Sequence, residues 1–123
     1  MRERITRGEA WWDIVYGFGR LHQAEDIFTT ALPEVVKRRM LVDADISTTW
    51  KDVSVDERMA YRKATERPIV KLVLQNASDW DKASTNVEDY IDTELPFDVA
   101  QEIVERIEAA LVKFQVPEEK KSV

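Results

Sequence analysis

The segment WWDIVYGFGRL, residues 11–21, restricts the fold more than any other part of the chain. Its apolar residues are three or four positions apart: Trp11, Ile14, Val15, Phe18 and Leu21. This is the spacing of one face of an α-helix. Gly17 and Gly19 each weaken a helix by about 1 kcal/mol relative to alanine. The segment therefore predicts a helix over residues 9–30 that is bent, or that straightens only against a partner.

The two adjacent tryptophans are difficult to bury together on one helix. On a helix, Trp11 and Trp12 would point about 100° apart, so both are buried only if the helix is covered on more than one side. A chain of 123 residues has little with which to cover a helix twice. Tryptophan and tyrosine are favoured where a residue is buried against a partner. We expect a docking element for another polypeptide; packing of both indoles in a local core is the alternative.

Two further helix starts are marked by proline and serine. Pro33 suits the first turn of a helix over residues 33–42. Ser54 and Glu57 form a capping-box pattern, in which the serine oxygen accepts from the backbone N–H of the glutamate. A third helix is therefore expected over residues 55–65. The stretch DADISTTW between these two helices is polar and β-branched, which predicts a loop.

Helix signals continue in the second half of the chain. Pro68 is expected to restart the chain, and PIVKLVLQ predicts a short buried helix. A strand is possible there, but no second strand is evident to pair with it. NASDWDKASTN is typical of a loop, and Thr85 with Glu88 offers a second capping box before a short helix. Pro96 is expected to end that helix.

The clearest helix lies near the C-terminus. Its apolar residues form a continuous stripe: Val99, Ile103, Ile107, Leu111 and Phe114. Pro117 is expected to end it, leaving residues 117–123 as a solvated tail. The chain is thus predicted to be all-α: one small irregular domain of about five helices over residues 1–123, with a long amphipathic C-terminal helix.

The charge is unevenly distributed along the chain. The formal net charge is −6, and from Leu72 onward there are twelve acidic and five basic residues. This balance disfavours general nucleic-acid binding, which needs a cationic surface. It is compatible with a protein lodged between differently charged neighbours, or simply with a solvated acidic helix. No stretch is apolar and long enough to span a bilayer.

Residues for catalysis or for metal binding are scarce. His22 is the single histidine and there is no cysteine, so cysteine-ligated and two-histidine metal sites are excluded. The serines lack a nucleophile motif, and Ser54 is better explained as a helix cap. GFG lacks the glycines and the lysine of a phosphate-binding loop. We therefore expect no catalytic residue, no bound metal and no cofactor.

One short resemblance points to DNA. The stretch WKDVSVDERMAY, from Trp50 to Tyr61, resembles the second-helix signature of HMG-box DNA-binding domains. The resemblance covers about a dozen residues and implies a DNA-binding module. A tryptophan anchor in front of a capping box explains the same residues.

A longer resemblance covers about two-thirds of the chain. Its landmarks come in this order: Trp11, Gly17, Phe18, Arg20 and Leu21; Glu25, Asp26 and Ile27; Arg38, Arg39 and Met40; DERMAYRKA; Trp80 and Lys82; Asp89, Tyr90 and Ile91. In this order the chain resembles the small helical matrix-side subunit of ubiquinol–cytochrome c reductase, subunit seven of the ubiquinone-binding-protein family. The resemblance implies an architectural subunit without a redox group, peripheral to the mitochondrial inner membrane.

These observations predict a non-catalytic accessory subunit of a respiratory-chain assembly, acting by protein–protein docking. Its partners would be other subunits of the complex rather than nucleic acid. The alternatives are the HMG-box-like module and a free-standing inhibitor or adaptor protein, including one of viral origin. The expected contact residues are Trp11, Trp12, Tyr16, Phe18, Arg38, Arg39, Arg58 and Arg62.

Overall fold

The computed structural model describes residues 1–40 and 49–121, and the side chains of residues 1–38 and 50–113. In chain order the elements are β1 Arg2–Arg7, β2 Ala10–Val15, α1 Phe18–Ala31, α2 Glu34–Met40, a short 3₁₀ helix Thr49–Asp52, α3 Val55–Val73, β3 Leu74–Ala77, α4 Val87–Thr93 and α5 Phe97–Lys121. The prediction of an all-α fold is therefore wrong. The fold combines helices with a three-stranded antiparallel sheet, in the order β1-β2-β3.

The front of the chain is a β-hairpin rather than a bent helix. Strands β1 and β2 pair in a register that places Ile5 opposite Trp12, and Gly8 occupies the two-residue turn with φ +61°. Only glycine enters that left-handed region at little cost, which favours the tight turn. Helix α1 then begins only at Phe18.

The third strand comes directly after α3. Strand β3 pairs with β2, placing Trp12 opposite Ala77 and Ile14 opposite Leu74, with a register shift between Asp13 and Ile14. The end of PIVKLVLQ is therefore a strand, and its pairing partner is the segment expected to be helical. That pairing joins residues sixty or more positions apart, so local spacing could not reveal it.

The core lies between one face of the sheet and the helices. Ile5, Trp12 and Ile14 are buried on the inner face. They belong to one apolar cluster with side chains of four helices: Leu21, Ala24, Phe28, Ile69, Val70, Val73, Tyr90, Val99, Ile103 and Ile107. Burial of this cluster fixes the sheet against α3 and α5.

The expected start of α3 is confirmed, but its expected end is wrong. The backbone N–H of Glu57 donates to the Ser54 hydroxyl oxygen at 3.2 Å, as the capping box predicts. The helix does not end near Thr65, because Pro68 lies inside it. A proline removes one backbone hydrogen bond, yet burial of Ile69 beyond it keeps the helix continuous.

The remaining helix ends differ from expectation by smaller amounts. The cap of α4 is Asn86, one residue after the expected Thr85, and its side-chain oxygen accepts from the backbone N–H of Asp89 at 2.8 Å. Helix α5 continues through Pro117 to Lys121, so the expected end at Pro117 is wrong. Residues 41–48, which include most of the expected loop, lie outside the described residues, as do residues 122–123.

Candidate docking groove

The adjacent indoles lie on opposite faces of the sheet, because successive side chains of a strand alternate. Trp12 is 3% exposed, and its Nε1–H donates to the hydroxyl oxygen of Tyr90 at 2.8 Å. The Tyr90 hydroxyl in turn donates to the Asp79 carboxylate at 2.6 Å, and the ring of Trp80 stacks on Tyr90. Burial raises the pKa of Tyr90. Trp12 is therefore a core residue of this chain.

Tyr16 is also buried among residues of this chain. Its hydroxyl donates to the Glu3 carboxylate at 2.7 Å, and an oxygen of Glu3 lies 3.6 Å from the Arg106 guanidinium. Arg106 also binds Glu102 on α5. Burial, followed by the hydrogen bond to Glu3, raises the pKa of Tyr16 to about 12. This chain of contacts ties the hairpin to α5, so Tyr16 has a structural role within the fold.

Trp11 and Phe18 are the more open of the four predicted aromatic contacts. The guanidinium of Arg4 lies 4.0 Å from the ring centroid of Trp11, on the outer face of the sheet. Arg4 also donates two hydrogen bonds to Asp13, which hold the pKa of that carboxyl below its ordinary range. Trp11 is half-buried, whereas Phe18 at the start of α1 is 72% exposed.

Of the predicted basic set, Arg58 and Arg62 both line the smaller cleft described below, on one flank of α3. Arg58 donates to the carbonyl oxygens of Trp50 and Val53, and so caps the 3₁₀ helix in front of α3. Arg38 is exposed on α2, and the side chain of Arg39 lies outside the described residues. Among the predicted arginines whose side chains the structure describes, Arg62 alone lines the groove between α3, α4 and α5 described next.

That groove runs between α3, α4 and the first turn of α5 and has a volume of about 580 Å³. Val70, Ile91 and Ala100 contribute apolar side chains to its lining. At its mouth, Met59 is 55% exposed and Phe97 is 63% exposed. We call it the α3 groove. Its full lining is Met59, Arg62, Lys63, Glu66, Arg67, Val70, Ile91, Asp92, Leu95, Phe97 and Ala100.

Helical spacing explains why these side chains meet. The α3 residues of the groove recur every three or four positions, twice as adjacent pairs: Met59, Arg62 with Lys63, Glu66 with Arg67, and Val70. They therefore share one face of the helix. Thr65, Ile69 and Val73 are buried in the fold. Helix α3 thus packs on the core with one side and presents the other to the groove.

The charges of the groove are mostly paired within it. Arg62 donates to Glu66 at 3.1 Å, and its guanidinium lies 4.7 Å from the ring centroid of Phe97. Arg67 donates to Asp92 at 2.9 Å, which lowers the pKa of that carboxyl. Lys63 is exposed and, within the part of the chain that the structure describes, has no ion pair. The unpaired charge at this groove is therefore positive.

A smaller cleft lies on the other flank of α3, with a volume of about 340 Å³. The rings of Trp50 and Tyr61 meet there edge to face with centroids 5.0 Å apart. Burial, followed by the charge of Glu108, raises the pKa of Tyr61 to about 12. These contacts account for both aromatic ends of WKDVSVDERMAY as packing around the start of α3.

Chemically, the α3 groove offers apolar contact area and fixed charges. Among the side chains described, no group of three or more histidine, cysteine or carboxylate residues is placed to hold a metal ion. Within the described ranges, no helix has the length and apolar character to cross a membrane. Sequence reasoning missed Met59, Lys63 and Phe97 as surface residues; the three-and-four spacing along α3 was the signal that could have found the first two.

Comparisons with models of protein families, with curated proteins and with solved structures find no match to this chain. The groove and the surfaces around it are therefore the features that indicate a function for this chain.

Proposed function

We propose that this chain is a non-catalytic protein-binding module that docks a partner in the α3 groove. The observation that carries the proposal is an open apolar groove whose mouth holds two large exposed side chains, Met59 and Phe97. Exposed apolar surface rimmed by charged residues is typical of protein-interaction sites.

The residue types at the groove suit docking. Methionine is flexible and polarisable, so Met59 can adapt to the shape of a partner. Phe97 offers a rigid apolar face, and arginine and aromatic residues are enriched where interfaces are buried. Arg62 lies over Phe97 and would keep that contact with its ring while a partner covers both.

Protein–protein docking, which the sequence suggested, is therefore still the proposed function. The proposed docking site lies on α3 instead of on the hairpin. Trp12 and Tyr16 are occupied by contacts of this chain, so they are not included in the proposed contact surface. Membership of a respiratory complex and a matrix-side location stay predictions that depend on the resemblance alone. The first landmarks of that resemblance lie on a strand and on the start of α1, in a fold that is not all-helical.

A matched pair of substitutions on α5 tests the docking function. Phe97→Glu places a charge at the mouth of the groove, whereas Val112→Glu places the same charge at a site of similar exposure, about 22 Å further along the helix. Both side chains are exposed, so both variants should fold. Proteins that co-purify with the native chain, identified by mass spectrometry, should be lost with Phe97→Glu and kept with Val112→Glu.

Equal recovery of those proteins by both variants would contradict the proposal, provided that both unfold at the temperature of the native chain. The unfolding temperature is the necessary control, because a variant that unfolds would lose its partner whether or not the partner binds in the groove.

A further inference from the structure

The walls of the α3 groove restrict the backbone conformation of whatever it binds. Six of its eleven lining residues come from the middle of α3, where backbone N–H and C=O groups bond within the helix, apart from the one carbonyl oxygen that Pro68 leaves without a donor. The lining includes no residue of β1 or β3, the two edge strands of the sheet. An extended peptide would therefore bury backbone groups there with few partners to bond. A helix satisfies its own backbone groups, so it is the form that such a groove accepts.

The length of the groove sets the size of that helix. Met59 and Val70 mark the two ends of the α3 face that lines it. The eleven residue-to-residue rises between them, at about 1.5 Å each, span about 16 Å, which corresponds to about three helical turns. A partner helix lying along α3 would place about three apolar side chains in the groove, at positions spaced three or four apart.

The charge of the groove selects among amphipathic helices. Glu66 and Asp92, its two carboxylates, are each bound by an arginine of α3. Lys63 has no such carboxylate among the described residues. The charged residues that line the groove are three cations and two anions, in a chain whose net charge is −6. A carboxylate on the flank of a bound helix would pair with Lys63, whereas a cation there would be repelled.

We propose that the partner docked in the α3 groove is an acidic amphipathic helix of about three turns, with aliphatic residues facing α3 and α5 and a carboxylate facing Lys63. This inference rests on the proposed docking function and adds the chemistry of the partner to it. Lys63 is then the residue that determines the charge preference.

Two synthetic peptides of about 15 residues test this chemistry. Both carry leucine at positions spaced three and four apart on an alanine helix, and they differ only in having glutamate or lysine on the flanks. Each is titrated into the full-length ¹⁵N-labelled chain and followed by two-dimensional NMR. The acidic peptide should shift the amide resonances of Met59, Lys63 and Ala100 and bind about tenfold more tightly than the basic peptide.

Charge-reversed variants sharpen the test. Lys63→Glu should weaken the acidic peptide about tenfold and strengthen the basic one, whereas Lys113→Glu, the same change at an exposed site near the far end of α5, should alter neither by more than about twofold. Equal or tighter binding of the basic peptide to the native chain overturns the acidic-helix inference and leaves docking in place. If neither peptide shifts these resonances at about 1 mM, the inference also fails, and the co-purification experiment decides the docking function separately.

Discussion

Alanine substitution of each adjacent indole distinguishes a strand from a helix at the front of the chain. In the structure, Trp12 is 3% exposed in the core and Trp11 lies half-buried on the outer face of the sheet. Trp12→Ala should therefore destabilise the fold severely, whereas Trp11→Ala should have a small effect. On the helix that the spacing suggests, Trp11 would lie on the apolar face, so Trp11→Ala would be the more damaging of the two substitutions.

The expected magnitudes follow from the contacts. Removing a buried aromatic side chain costs about 3–5 kcal/mol, and Trp12→Ala also deletes the hydrogen bond to Tyr90, so we expect a loss of about 4 kcal/mol. Trp11→Ala removes partial burial and the contact with the Arg4 guanidinium, about 1 kcal/mol together. With about 4 °C for each kcal/mol in a domain of this length, the melting temperature should fall by about 16 °C and about 4 °C respectively.

Urea unfolding followed by far-ultraviolet circular dichroism measures both variants without depending on tryptophan fluorescence. Trp12→Phe serves as a control, because it keeps a large apolar ring and should recover more than half of the loss. If the two alanine variants differed by less than about 1 kcal/mol, the placement of these indoles on opposite faces of a strand would be wrong.

Two further predictions concern buried hydroxyl groups. Tyr90→Phe should lower the free energy of unfolding by about 2 kcal/mol, because it leaves the Trp12 N–H without its acceptor; a double-mutant cycle with Trp12→Phe should show coupling of about 1 kcal/mol. The pKa of Tyr16 is raised from 10.0 to about 12, so its contribution to stability is fully present below pH 10 and is lost as the pH rises towards 12. Urea titrations across that range should show this decline, and Tyr16→Phe should make it shallower, leaving the part due to Tyr61 and Tyr90, whose pKa values are also raised by burial.

The helices could be read from the sequence where their signals are local. The capping box at Ser54 and the proline in front of α2 act within one turn, and the stripe from Val99 onward reports burial along a single helix. Pro68 and Pro117 misled the prediction of helix ends. At Pro68, packing of the surrounding residues outweighs one missing hydrogen bond.

The sheet could not be read in the same way. Residues 11–18 carry apolar side chains at helical spacing, but Trp12, Ile14 and Tyr16 also alternate as they would on a strand. Strand β1 offers only Ile5 as an apolar signal, and the pairing of β2 with β3 joins distant parts of the chain. The same residues satisfy both the helical spacing and the alternation of a strand, and pairing with β1 and β3 is what makes the segment a strand.

The candidate site was only partly predictable, for a related reason. Arg62 was among the expected contacts because α3 is rich in arginine, and it does line the groove. The sequence did not indicate whether Phe97 is buried or exposed. Its 63% exposure depends on where α5 begins relative to α3, which the sequence does not show. Which face of α3 stays uncovered is likewise set by the packing of α4 and α5 on it.

The central claim, that a partner occupies the α3 groove, is tested most directly by site-specific photo-crosslinking in the cells that make the protein. A benzoylphenylalanine would replace either Met59, which is 55% exposed at the mouth of the groove, or Val112, which is 61% exposed on the distant part of α5. We predict one discrete crosslinked protein with the probe at position 59 and none with the probe at position 112. Crosslinking of the same protein from both positions, or from position 112 alone, would contradict the claim.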